Sequence, residues 1–522
     1  MVQSTFLPVR LVLEIDNEIA CISINCLMIA SKFFKVLLLG SMTYLLAACG
    51  GDASEPAPLL NPNQTGEPEP SAMDQKLKTA IADNGVDYSA LILPADGDFA
   101  ALPTFPGNPI NAAQVELGRQ LFHDTLFALD SREASRAGTY SCASCHHVQA
   151  GFKSGVAQGV GDGGIGFGFL GEGRLADQDV LKRRLKDPDN PIDILPDVQD
   201  IASPTILNSA YQEVMLWNGQ FGNAKTGALV NAGIDPKILQ TEGTPKAFNE
   251  RELPGLETQA MAGMGVHRLR IDTTELSAHP EYLDLFAESY PEVLSTTDDV
   301  LALSDDELFT FSALAIANYE RTVLANEAPF QRWLKGDLNA MTENEKEGAA
   351  LFFGKANCAD CHQGPALSSL VGANDEQLFF AIGFNDLVQD DVFVIGSIKD
   401  ATKKGRGGFT GDATDDFRFK IPTLYNLKDS AFLGHGASFS SVLEVVRYKN
   451  AGIAQNPDSQ AHLDARFKPL GLNDKEIALL TEFIENALYD DNLRRHVPVE
   501  VISGNCFPVN DTAGRLELGC EE

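Results

Sequence analysis

The chain has 522 residues, more than one hydrophobic core usually holds, so two domains are expected. Its 44% hydrophobic and 22% charged residues are those of a soluble globular protein. Lys and Arg total 40 against 73 Asp and Glu, a net charge of −33, which argues against nucleic acid and anionic membrane surfaces as partners. The same excess suits a basic electron donor, or solubility alone.

Residues 28–49 read as a lipoprotein-type signal. A basic start at Lys32 and Lys35 precedes the apolar Val36-Leu37-Leu38-Leu39, and Leu46-Ala47-Ala48-Cys49 closes it. The apolar run is too short for a membrane span, Met28 is a better start than Met1, and Cys49 is the expected lipidated residue. Residues 1–48 are therefore assigned to leader and signal peptide. The acidic, Pro-rich segment that follows lacks periodicity, and residues 49–75 are read as a flexible tether.

A helix is expected from about Ala112, with Val115–Phe122 leading toward Cys142-Ala-Ser-Cys145-His146. Two thiols three positions apart can form thioethers to both vinyl groups of one haem, and the adjacent His becomes the iron's proximal ligand. A redox dithiol or half a zinc site would use the same spacing. However, Cys358-Ala-Asp-Cys361-His362 repeats the motif with its own His, and no other Cys-x-x-Cys completes a zinc tetrad. Two covalent haem c groups, held by Cys142, Cys145, His146, Cys358, Cys361 and His362, are the expectation. Attachment to such motifs takes place outside the cytoplasm, in agreement with the signal peptide.

Gly155–Gly173 is glycine-rich but lacks a Gly-Lys-Ser/Thr ending, so it reads as a mobile loop near the haem and not as a phosphate loop. Helical patterns recur at Asp305–Glu320, at Glu343–Phe353 just before the second motif, and at Asn473–Leu488. The repeated order of helix, motif and covering loops suggests duplication of a cytochrome c unit. The fold class is mainly α, with haem domains at 76–335 and 336–500 and a tail at 501–522. Cys506 and Cys520 in that tail are expected to pair in an oxidising compartment, two free thiols being the alternative.

Several phrases in order resemble the bacterial di-haem cytochrome c peroxidase and MauG family. They include Leu117-Gly-Arg-Gln-Leu-Phe-His-Asp124, Ser203-Pro-Thr-Ile-Leu-Asn208, Leu216-Trp-Asn-Gly219 and Leu256-Glu-Thr-Gln-Ala260. Further on come Pro329–Asp337, Phe352–Cys358, Phe419-Lys-Ile-Pro-Thr-Leu-Tyr-Asn426 and Leu433-Gly-His-Gly436. The resemblance covers roughly residues 112–490. It implies hydrogen peroxide as substrate at the first haem and electron relay through the second, with Trp217 between them; the plainer reading of Trp217 is a core aromatic. A small cytochrome c or cupredoxin would donate the electrons, and a homodimer is within the family's range.

The family's distal residues are a Gln and, ten positions on, a Glu. Gln259 fits the first, but the second position is Leu269, and the nearest substitute is His267-Arg268. An imidazole can shuttle the peroxide proton while a guanidinium stabilises departing charge, although a lone His is more often structural. Residues 148–266 hold no histidine, so the first haem is expected to need no reductive unlocking unless His267 binds its iron. The second haem's usual Met ligand is missing, because the last Met is Met341. Alignment of Val442–Lys449 with the ligand helix makes Lys449 or Tyr448 the candidate, each otherwise a helix-surface residue, with His435 as a propionate partner. Losing a thioether ligand should lower that haem's potential. The family's calcium site would take an Asn where this chain has Ala202, so calcium is an open expectation.

Overall fold

The helices start where the sequence supplies a cap. In the computed structural model, which describes residues 69–177, 196–222, 253–369, 375–387 and 400–520, seven helices position the functional residues. The leader, the signal peptide and Cys49 lie outside those residues. Helix α1 (Ala72–Asp83) begins at a Ser71/Asp74 capping box, inside the segment expected to be tether. Asn111 caps α2 (Ala112–His123), and α3 spans Gly255–Val266. Capping boxes start α4 (Asp305–Thr322) at Ser304/Glu307 and α5 (Glu343–Phe353) at Thr342/Glu345. Ser441 caps α6 (Val442–Ala451). Asn473 and Glu476 box the start of α7 (Asp474–Glu482), which runs into a π-helical turn at Phe483–Ala487. The described strands are two short antiparallel pairs, β1 (Gly164–Ile165) with β2 (Leu175–Ala176) and β3 (Phe379–Phe380) with β4 (Phe419–Lys420). The chain is mainly helical.

The two halves repeat one local geometry. Helix α2 meets α4 at Gly118, where a Cβ would run into the Ala315 carbonyl oxygen. Helix α5 meets α7 at Gly348, where a Cβ would run into that of Leu479. After each Cys-x-x-Cys-His the chain passes through a left-handed non-glycine residue, Phe152 (φ 56°) or Leu367 (φ 45°). Two Pro-Thr-x-x-Asn phrases then close over the motifs. Thr205 Oγ1 donates to Gly151 O and Thr423 Oγ1 donates to Ala366 O, both at 2.7 Å. Asn208 (φ 59°) and Asn426 (φ 53°) turn left-handed, a conformation Asn tolerates, into single 3₁₀ turns.

A continuous hydrophobic core joins both halves, and the ends of the chain are exchanged between them. Helix α1 packs on α5 of the second half through buried Asp74, which accepts from Trp333 Nε1 at 2.7 Å and pairs with Lys346 Nζ at 2.9 Å. Those partners outweigh burial and hold the Asp74 carboxyl at about 2. The tail returns to the first half, where Ser144 Oγ donates to Pro508 O at 2.7 Å and Asn510 N donates to Thr139 O at 3.0 Å. A disulfide between Cys506 and Cys520, Cα atoms 6.0 Å apart, closes it. Among the described residues no helix is long and apolar enough to cross a membrane.

Candidate functional site

Each Cys-x-x-Cys-His forms a 3₁₀ turn that places its His on a cavity. The first cavity, about 600 Å³, is lined by Cys142, Cys145 and His146; the second, about 160 Å³, by Cys361 and His362. The four motif cysteines are not disulfide-bonded. His146 Nδ1 lies 3.3 Å from Phe152 O, and His362 Nδ1 lies 3.0 Å from Leu367 O. A carbonyl can only accept, so each Nδ1 carries the proton and each Nε2 keeps its lone pair for a metal. Burial lowers both imidazoles to about 4, which keeps them neutral at pH 7. The glycine-rich segment, folded as the β1–β2 hairpin, crosses the first motif closely. A Cβ at Gly159 would stand 2.9 Å from Cys145 Sγ.

Gln259 and His267 both line the first cavity, as does Leu269. Gln259 is on α3, and His267 is that helix's C-cap residue. The chain then turns left-handed at Arg268 (φ 61°), with Leu269 N returning to Met264 O at 2.9 Å. That turn separates the expected His-Arg pair. The Arg268 guanidinium binds the fully buried Asp162 carboxylate and is not among the residues lining the cavity. What the sequence did not show is Asp197, whose Oδ2 lies 2.6 Å from His267 Nδ1. Burial disfavours the charged imidazole, but the Asp197 carboxylate outweighs it and raises the His267 pKa. With Nδ1 tied to Asp197, Nε2 is the free nitrogen. Glu320 also lines this cavity and was missed; burial, opposed by Arg321, raises its carboxyl to about 8. An acid on the apolar face of α4 was its only signal.

The second cavity carries the opposite charge. Lys153, Lys420 and Lys449 line it, and among the described residues no Asp or Glu does. Burial lowers Lys153 and Lys449 to about 8, and Lys420 to about 7. The Lys449 ammonium stands 5.6 Å from the ring centroids of both Phe384 and Phe467. Tyr448, the other ligand candidate, is turned away from the cavity. It packs against Phe384, Phe439 and Phe467, and its hydroxyl donates to Ile382 O. On a helix adjacent residues point about 100° apart, so α6 offers Lys449 or Tyr448 to the cavity but not both. His435 lines the cavity, stacks on Phe419 at 3.6 Å between centroids, and places Nε2 3.3 Å from Asp386 Oδ1.

Trp217 lines both cavities, as do Gln212, Leu216, Phe419 and Lys420. Trp217 Nε1 donates to Ala202 O at 2.8 Å, and its own carbonyl accepts from Lys420 N at 2.8 Å. A strand-end hydrogen bond thus fixes the indole in the shared wall. Each motif supplies two free thiols and a neutral His, with both thiols of the first motif and Cys361 of the second lining their cavities, which is the donor set covalent haem requires; these residues fit two haem c groups.

A family model described as "Di-haem cytochrome c peroxidase" matches residues 112–339, from α2 past the first motif, Trp217 and α4. Over 437 residues the chain is 27% identical to cytochrome-c peroxidase IdrP1 of Denitromonas iodatirespirans, covering 79% of this chain and 92% of that one. It is 24% identical over 387 residues to methylamine utilization protein MauG of Methylorubrum extorquens, covering 74% and 81%. Similarity to cytochrome c551 peroxidase of Pseudomonas aeruginosa is 24% over 343 residues, covering 65% and 72%. The ordered phrases, the paired haem motifs and these matches agree, and they support the likeness of this chain to the bacterial di-haem cytochrome c peroxidase and MauG family.

Proposed function

We propose that this chain is an exported di-haem peroxidase that reduces hydrogen peroxide in the first cavity with electrons passed through the second. The observation that carries the reading is the wall shared by the two cavities, with Trp217 in it and a haem-attachment motif on either side. Haem held in the first cavity by Cys142, Cys145 and His146 would supply the redox chemistry that reduces hydrogen peroxide to two waters with two electrons and two protons. The chain's own residues handle the protons. His267 Nε2 takes the proton from the near peroxide oxygen and returns it to the far one, which departs as water. Asp197 holds the imidazole in the required tautomer and stabilises it while charged. The Gln259 amide orients the peroxide. Trp217 relays electrons between the two cavities, and Lys449 is the residue that would help hold the second haem.

The domains run 76–335 and 336–500 as two cytochrome c-like units in tandem, and the crossing glycines and Pro-Thr-x-x-Asn turns support that duplication. The chain is held on the periplasmic side of a membrane by a lipid at Cys49, and a small cytochrome c or cupredoxin supplies electrons. One observation favours a MauG-like oxidase that draws electrons from a protein or organic substrate: among the described residues the second cavity offers Lys449 and no Met.

Optical and EPR spectra of the ferric protein with and without peroxide test the reading. A high-spin first haem that reacts without prior reduction is expected. Two six-coordinate low-spin haems indifferent to peroxide would leave only an electron-transfer cytochrome. Steady-state turnover with reduced cytochrome c then separates peroxidase from oxidase.

A further inference from the structure

A buried ammonium needs an anion, and among the described residues Lys420 meets none. The residue is 5% exposed, lines both cavities, and has the Gln212 amide oxygen as its side-chain hydrogen-bond partner. Taking a lysine out of water is unfavourable unless an opposite charge is met. Among the described residues Lys420 is the one Lys or Arg lining the first cavity, whose acidic side chains are Asp197, Asp200 and Glu320. Its backbone is fixed on both sides, by β4 pairing with β3 and by the bond from Lys420 N to Trp217 O. The charge is therefore held in the wall beside the indole.

The cofactor's chemistry supplies what the wall lacks. A haem c is tied to its Cys pair through the two vinyl groups on one edge of the porphyrin, and its two propionate carboxylates leave from the opposite edge. The cysteines of each cavity are not part of the shared wall: none of the seven residues common to the two linings is a cysteine. We propose that Lys420 is a bridging cation that binds a propionate of the first haem and a propionate of the second, coupling the two electrostatically. Gln212, hydrogen-bonded to the same ammonium, orients it. A positive charge shared in this way stabilises the reduced form of both haems, so an electron arriving on one changes the affinity of the other. Lys420 is thus a positioning residue for electron relay, beside the tryptophan that carries it.

The proposal rests on two haems occupying the cavities, which a haem count on the wild-type chain reads by itself. It holds whether the electrons come from a cytochrome or from an organic substrate. The test is a potentiometric titration of both haems in the full-length, haem-loaded protein. Lys420→Met should lower both midpoint potentials by at least a tenfold change in the reduction equilibrium, 59 mV for one electron. Lys420→Arg should restore both to within about threefold. A shift at one haem only, or at neither, overturns the bridge. Where Lys420→Met does not retain two haems, Lys420→Gln is read in its place. An Arg variant whose potentials move as far as the Gln variant's then overturns the proposal.

Discussion

The two halves share a scaffold and differ in what stands over the histidine. Around both motifs the chain repeats a Gly-mediated helix crossing, a left-handed residue whose carbonyl fixes the His tautomer, and a Pro-Thr-x-x-Asn turn. Above His146 lies a roomy cavity bearing Asp197, Asp200, Glu320 and a His–Asp pair. Above His362 lies a small one bearing three lysines, buried Lys420 and half-buried Lys153 and Lys449, and, among the described residues, no acid. The lesson is that the motif and the placement of its His are common to both halves, whereas the side chains lining the rest of each cavity are not. The charge contrast also revises the potential expected of the second haem. Absence of a Met ligand lowers it, but the ammonium groups of Lys153 and Lys420 act in the opposite direction by favouring the reduced form.

The largest effect should come from removing the part that has no counterpart in the second half. His267→Ala is expected to lower kcat/KM for peroxide by roughly 10²–10⁴-fold, the usual worth of a positioned acid–base. Haem content should stay unchanged. Asp197→Asn sharpens the assignment through pH. The free-base imidazole is the active form and Asp197 raises its pKa, so wild-type activity falls as pH drops through a value above the ordinary imidazole range. Without the carboxylate, burial and the Arg268 charge remain, both lowering the pKa, so the acid limb should move below the ordinary imidazole value. An acid limb unmoved in Asp197→Asn would remove His267 from the proton transfer.

This contrast explains what was legible in the sequence. Both motifs, the mainly helical class and the helices leading to each motif follow from local spacing. The placement of Gln259 on the first cavity was legible too, because the phrase that carries it sits within a single helix. Asp197 is 70 residues from its partner His267, in a loop with no period of its own, and no pattern links them. The His267-Arg268 expectation failed on one dihedral, since a left-handed Arg268 directs consecutive side chains to different places. The exchange of chain ends was equally hidden: capping marks where α1 starts, not which half it packs against.

The next effect is on stability and should be confined to one half. The tail clasps the first motif, through the bonds to Ser144 and Thr139 and the ion pair of Asp511 with buried Arg174 at 3.0 Å. Cys506→Ser with Cys520→Ser opens a loop of about 15 residues, for which the chain-entropy model gives about 3 kcal/mol. Hydrogen exchange should rise around residues 139–145 and stay unchanged around 358–362. Equal loosening of both motifs would show that the tail does not distinguish them.

The helix crossings should behave alike, because here the halves are equivalent. Gly118→Ala and Gly348→Ala each push a methyl group into a backbone carbonyl of the crossing helix. Overpacking of this kind costs about 1–3 kcal/mol, and relief requires the helices to separate. Denaturant midpoints of the two variants should fall by similar amounts. A variant with wild-type stability would mean that its crossing is looser than its counterpart.

The smallest change asks which face of α6 meets the second cavity. Tyr448→Phe removes one hydroxyl from a buried aromatic cluster and leaves the Ile382 carbonyl without its donor. The expected loss is about 1 kcal/mol of stability, the usual net worth of such a bond. The ferric absorption spectrum of the second haem should not change, because the phenol points away from the cavity. Lys449→Ala should do the reverse. It removes the ammonium that lines the cavity, so the second haem's spectrum and spin state should change while the stability loss stays modest. A spectral shift in Tyr448→Phe with none in Lys449→Ala would reverse the assignment and rotate α6 by one residue. That outcome would make the second haem resemble a tyrosinate-ligated site, and the oxidase reading would then gain over the peroxidase.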